Sequence, residues 1–93
     1  MTARWDIYTD PELERQLAKE SGPAWTALRA LITELEWRAE HVGRPLGYPW
    51  PQEIRRAPVE DDETVYGAIE YVLESRSRRI ARILDVRWLP FLP

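Results

Sequence analysis

Ten consecutive residues in mid-chain, Gly43-Arg44-Pro45-Leu46-Gly47-Tyr48-Pro49-Trp50-Pro51-Gln52, contain three prolines and two glycines. Proline removes a backbone donor and glycine adds backbone freedom, so this stretch forms neither helix nor central strand. It divides the chain. Helical patterns precede it and alternating patterns follow it. Helices segregated from a mostly antiparallel sheet are an α+β plan.

In the first half, Arg4-Trp5-Asp6-Ile7-Tyr8 sets Trp5 and Ile7 among polar neighbours and reads as a short strand. Asp10-Pro11 is a helix start, with a capping carboxylate before a proline at the first helical position. Glu12 and Glu14 follow in the first turn, where the helix dipole favours anions. Leu13 and Leu17 share a face, and Ser21-Gly22-Pro23 ends the helix near Glu20. A second helix is predicted from about Pro23 to Val42. Trp25, Leu28, Ile32, Leu35, Ala39 and Val42 make one apolar stripe, with Glu34, Glu36, Arg38 and Glu40 mostly off it. Gly43 and Pro45 close it. Together the two helices form a helical hairpin.

In the second half, residues 53–59 read as a strand broken near Pro58, and Glu60-Asp61-Asp62-Glu63 as an acidic turn. Thr64 to Glu74 alternates, with Val65, Gly67, Ile69, Tyr71 and Leu73 on one face. Ser75-Arg76-Ser77 is a turn. Residues 78–88 fit a strand with Ile80, Arg82, Leu84, Val86 and Trp88 on one face. Ile80, Ile83, Leu84 and Arg87 also meet helical spacing, which keeps an all-α reading of residues 64–88 open. The tail, Trp88 to Pro93, is apolar and limited by proline. The expected fold is one α+β domain over residues 1–93: an N-terminal strand, a helical hairpin, then a three-stranded antiparallel sheet.

Composition excludes several chemistries. With no cysteine the chain has neither disulfide nor thiolate metal site, and its single histidine, His41, rules out multi-histidine mechanisms. No metal or cofactor is expected. Glycine-rich phosphate loops, nucleophile elbows and paired catalytic carboxylates are absent. There is no 18-residue apolar run and no signal-peptide core, so the expected location is the cytoplasm and no membrane contact is foreseen. The net charge of −3 argues against a chain that coats nucleic acid indiscriminately. The charge is uneven, however. Residues 76–87 carry five arginines against one aspartate, and twelve of the thirteen cations are arginine, the side chain suited to phosphate and carboxylate.

The order and spacing of these segments resemble the RelE/ParE superfamily of bacterial toxin–antitoxin toxins. Trp5-Asp6-Ile7-Tyr8 with Asp10-Pro11-Glu12 is similar to that family's opening strand and first helix. Glu40 to Gly47 resembles its stretch after the second helix. Glu53-Ile54-Arg55 resembles the strand that comes next, Val65 to Tyr71 the following one, and Ile83-Leu84-Asp85-Val86-Arg87 the last. The resemblance implies the toxin of a type II module, with a cognate antitoxin as partner. Its target would be mRNA on the ribosome, cleaved as by RelE-type endoribonucleases. Alternatives are DNA gyrase, bound as by ParE-type toxins, or no enzymatic target, in an interaction module or decayed toxin of this fold. The sequence departs from the family in several respects: it has no Lys after Lys19, and its pI of about 5.2 is unlike that of the family's basic nucleases. Gly67 stands where an Arg commonly follows the Tyr, and the C-terminus, Phe91-Leu92-Pro93, offers no Tyr or His as an acid or base.

Cleaving RNA requires a base for the 2′-hydroxyl, a cation for the phosphorane and an acid for the leaving oxygen. Arginine fills only the cationic role, because it stays protonated. Arg55 and Arg87 are the catalytic candidates, and Arg56, Arg76, Arg78, Arg79 and Arg82 the RNA-binding ones. The competing expectation makes these residues solvated, or paired with the acidic turn at 60–63. Glu53, Glu70 and His41 are the available bases, with His41 equally suited to a helix C-terminus. Tyr66 and Tyr71 are expected to pack. Tyr48, Trp50 and Trp88 suit base stacking or, by the simpler expectation, packing under the loop.

Overall fold

The computed structural model describes residues 3–89. Met1, Thr2 and the tail from Pro90 to Pro93, including the C-terminal departure at Phe91-Leu92-Pro93, lie outside the described residues. The elements run β1 (Asp6–Tyr8), α1 (Pro11–Lys19), α2 (Pro23–Val42), β2 (Arg44–Pro45), β3 (Ile54–Glu60), β4 (Val65–Ser75) and β5 (Ile80–Trp88). Five strands form one mixed sheet in the order β1-β5-β4-β3-β2. β3, β4 and β5 are antiparallel neighbours, while β1 joins β5 in parallel. The predicted three-stranded sheet is therefore the centre of a five-stranded one. Two edges were added by contacts that local patterning does not encode: β1 returning from the other end of the chain, and the two-residue β2 drawn from the Pro/Gly stretch onto Arg55 and Arg56 of β3.

Both helices start and stop near the predicted residues, although Gly43 closes α2 in extended backbone, with φ of −97°, rather than in the left-handed turn expected of a glycine there. The Asp10 carboxylate accepts from the Leu13 amide at 2.8 Å, capping α1. Arg29 of α2 donates to the Leu17 and Glu20 carbonyls, fastening the end of α1 to its neighbour. Leu28, Leu35 and Ala39 of the stripe are fully buried, and Trp25, Ile32 and Val42 pack at the margin of the same core. Opposite them lie Ala57 and Val59 of β3, Ile69, Tyr71 and Leu73 of β4, and Ala81 and Ile83 of β5.

The sheet corrects two details. β3 is not broken at Pro58, which pairs with Ala68. β2 covers β3 only at Arg55 and Arg56, so Pro58 sits on an edge, where a missing N–H is tolerated. β5 changes phase within its length: Tyr71 pairs with Ile83 but Glu70 with Asp85, leaving Leu84 as an extra residue. Before this bulge Ala81 and Ile83 face the helices. After it Val86 and Trp88 do, and Trp88 meets Trp25 with ring centroids 5.0 Å apart. The inserted residue splits the predicted face: Val86 and Trp88 turn to the helices, while Arg82 and Leu84 stay exposed.

Candidate functional site

The helices cover one face of the sheet and leave the other open. Cross-strand partners share a face, so the register assigns each side chain. On the open face, Arg56, Glu70 and Asp85 form one row. Pro58, Ala68 and Arg87 form the next, and Ile54, Val72, Arg82 and Tyr8 the row on the other side. Arg56, Arg82 and Arg87, nominated separately from sequence, thus stand on one surface.

Each of these arginines has a carboxylate partner. Arg56 donates to Glu70 at 2.6 Å, Arg82 to Glu74 at 2.8 Å and Arg87 to Asp85 at 2.9 Å. Arg82 also lies 5.3 Å from the Tyr8 ring centroid. The hydrogen bond and charge of Glu74 raise the already high pKa of Arg82 further. The acidic turn at 60–63 is not the partner of these cations, contrary to the expectation. It is organised internally: Asp61 accepts from the Glu63 and Thr64 amides and from the Tyr66 hydroxyl at 2.6 Å. The partners used instead, Glu70, Glu74 and Asp85, lie on the strands themselves. A cross-strand pairing of β4 with its neighbours was the signal that would have found them.

Arg55 is placed elsewhere. It points to the helix face, where it donates to the Glu40 carbonyl at 2.9 Å and the Gly43 carbonyl at 3.3 Å. Alternation along β3 separates it from Arg56. Its Nε is buried without a partner. Arg55 therefore works as a cap on the last carbonyls of α2. His41 is exposed in that same last turn. Arg76, Arg78 and Arg79 form a third group in the β4–β5 turn, with Arg76 paired to Glu40 at 2.8 Å.

Tyr71 packs, as expected, and is fully buried. Trp88 is half-buried beside Trp25. Tyr48 and Trp50 do not pack under their loop: they are 100% and 57% exposed. Three short loop hydrogen bonds hold the backbone while leaving both rings outside.

Chemically, the open face is a balanced array of three guanidiniums and three carboxylates. The Arg82–Glu74 and Arg87–Asp85 pairs are solvent-exposed, Arg87 most of all at 71%, and such pairs are worth only about 0.2–1 kcal/mol; Glu70 is more sheltered. A phosphate bound on this face would have to take the place of these carboxylates at the guanidinium forks. Beside Arg56 opens a groove of about 480 Å³, walled by Val42, Pro45, Pro58, Val65 and Leu89. Among the described residues no three His, Cys, Asp or Glu side chains group to hold a metal. No described helix is long and apolar enough to cross a membrane. No family model matches the chain, and comparison with curated proteins finds no match.

Proposed function

We propose that this chain is the toxin of a bacterial type II toxin–antitoxin module, acting on mRNA in the manner of the RelE-type endoribonucleases it resembles. The observation that carries this reading is the open sheet face. A helical hairpin shields one side of the sheet, and three arginines from two strands, Arg56 of β3 with Arg82 and Arg87 of β5, are gathered on the other. Arg56, Arg82 and Arg87 would take phosphate oxygens and the charge that develops on the phosphorane. Glu70, 17% exposed and hydrogen-bonded to Arg56, is the carboxylate best placed to accept a 2′-hydroxyl proton.

One observation favours a second reading, a non-enzymatic binding module of the same fold. Every arginine on the face is already paired with a carboxylate, and the face carries no histidine among the described residues.

Induced expression in a bacterial host separates the readings. Growth arrest with rapid mRNA cleavage, relieved by Arg56→Ala or Arg87→Ala, supports the nuclease. Arrest with intact mRNA and a DNA-damage response would move the target to gyrase. Normal growth, with the protein folded and abundant, would overturn the toxin assignment in favour of the binding module.

A further inference from the structure

Tyr48 and Trp50 stand in water on a loop that is not free to collapse over them. The Trp50 amide donates to the Gly47 carbonyl at 2.8 Å, Ile54 to Pro51 at 3.1 Å and Leu46 to Ile54 at 3.3 Å. Pro45, Pro49 and Pro51 restrict the backbone further. The loop backbone is thus ordered with both rings outside the core, which lowers the backbone ordering cost of binding a partner.

The register places this loop beside the basic turn. The Leu73 amide donates to the Glu53 carbonyl at 2.9 Å, so the β3 ladder runs on from Ile54 toward the end of β4 at Ser75. The turn from Arg76 to Arg79 begins there. Among the described residues, Arg78 and Arg79 have no ion-pair partner. The nearby Glu40 is held by Arg76 and Glu74 by Arg82, while Glu53 stands exposed at the foot of the loop. This end lies about 25 Å along β5 from Arg87, at roughly 3.3 Å per strand residue.

We propose that Tyr48 and Trp50, with Arg78 and Arg79, form a binding site for single-stranded nucleic acid. The rings stack on unpaired bases and the guanidiniums take the adjoining phosphates. Stacking selects a single strand, because duplex bases already cover one another. The site deepens the reading above and rests on its nucleic-acid target, but it requires no cleavage and does not use Arg87.

The test is fluorescence anisotropy with a labelled oligouridylate of about 12 nucleotides, within the span that such sites cover, beside a duplex RNA of equal length. The wild-type chain is expected to prefer the single strand. Tyr48→Ala with Trp50→Ala should weaken binding about thirtyfold or more, since two stacked bases are lost. Arg78→Ala with Arg79→Gly should flatten the log–log salt dependence by about 0.7 per lost phosphate contact. Glycine is chosen at 79 because Arg79 has φ of 54°. Trp37→Ala, which removes an exposed ring elsewhere, should change nothing. Thermal melts confirm that all variants fold. Equal affinity for duplex and single strand, or undiminished binding without both rings, overturns the proposal. So does absence of wild-type binding. Oligonucleotide binding in a chain that causes no growth arrest would uphold this site while removing the nuclease reading.

Discussion

Gly43 and Tyr71, 28 residues apart in sequence, are in direct contact: the Gly43 amide donates to the Tyr71 hydroxyl at 2.9 Å. That hydroxyl in turn donates to the Ala39 carbonyl at 2.8 Å. One buried phenol on β4 thereby satisfies two backbone groups at the end of α2. Burial pushes its pKa up, which keeps it a donor. A Cβ at position 43 would stand 2.7 Å from that oxygen and 2.9 Å from the Arg56 carbonyl. Tyr71→Phe strands a buried N–H and a buried C=O and should cost about 2–4 kcal/mol. Gly43→Ala should cost about 1–3 kcal/mol through overpacking. Urea melts check both, with a lower midpoint and an unchanged slope expected.

Arg55 and Arg87 should behave oppositely when removed. Arg55→Ala uncovers the carbonyls of Glu40 and Gly43 and should destabilise the fold by about 1–3 kcal/mol. Arg87→Ala breaks only an exposed pair, so its melt should shift by less than about 0.5 kcal/mol. On the proposed toxin reading, relief of growth arrest by Arg87→Ala with an unshifted melt therefore reports on function. The same relief in Arg55→Ala must first be corrected for folding.

Position 67 tests how far the family resemblance extends into the side chains. A Cβ on Gly67 would stand 2.2 Å from the backbone carbonyl of Arg87. Neither partner can yield, because both belong to the β4–β5 ladder. Gly67→Ala should lower the melting temperature sharply, and Gly67→Arg, which places there the residue that the resembled toxins commonly carry, should fail to give soluble protein. A stable Gly67→Arg variant would mean that β5 pairs with β4 in a different register.

The Asp61–Tyr66 hydrogen bond makes stability depend on pH. It holds the Asp61 carboxyl below its ordinary value of 3.8 and, from the other side, lifts the Tyr66 phenol above 10.0. A carboxylate with a lowered pKa adds stability that is present above its ordinary value and lost as pH falls through the lowered one. Tyr66→Phe should therefore melt below the wild type at neutral pH, and the gap should close as the solution is acidified below pH 3.8. Circular dichroism melts across that range check it. A gap that stays constant would show that the bond is not made in solution.

Much of the local structure was legible. Asp10-Pro11 started α1 because a cap acts on its immediate neighbours, whereas Gly43 ends α2 in extended backbone, where the closeness of Tyr71 requires a glycine. The stripe from Trp25 to Val42 named the buried face of α2, and alternation from Val65 to Leu73 named that of β4 except at Val65, which lies beyond a register shift and is 48% exposed. The gathering of Arg56, Arg82 and Arg87 was not legible. Their shared face depends on strand register, and in β5 the bulge at Leu84 reverses the alternation midway.

What the sequence determined by itself is the set of elements and their apolar faces, since turn chemistry and periodicity are short-range. The tertiary structure alone decided that β1 closes the sheet beside β5, that Arg55 caps a helix while Arg56 faces solvent, and that Tyr48 and Trp50 stay outside the core. These outcomes depend on which distant backbones pair and in what register. That is settled by total burial and hydrogen bonding across the whole chain rather than by any local segment.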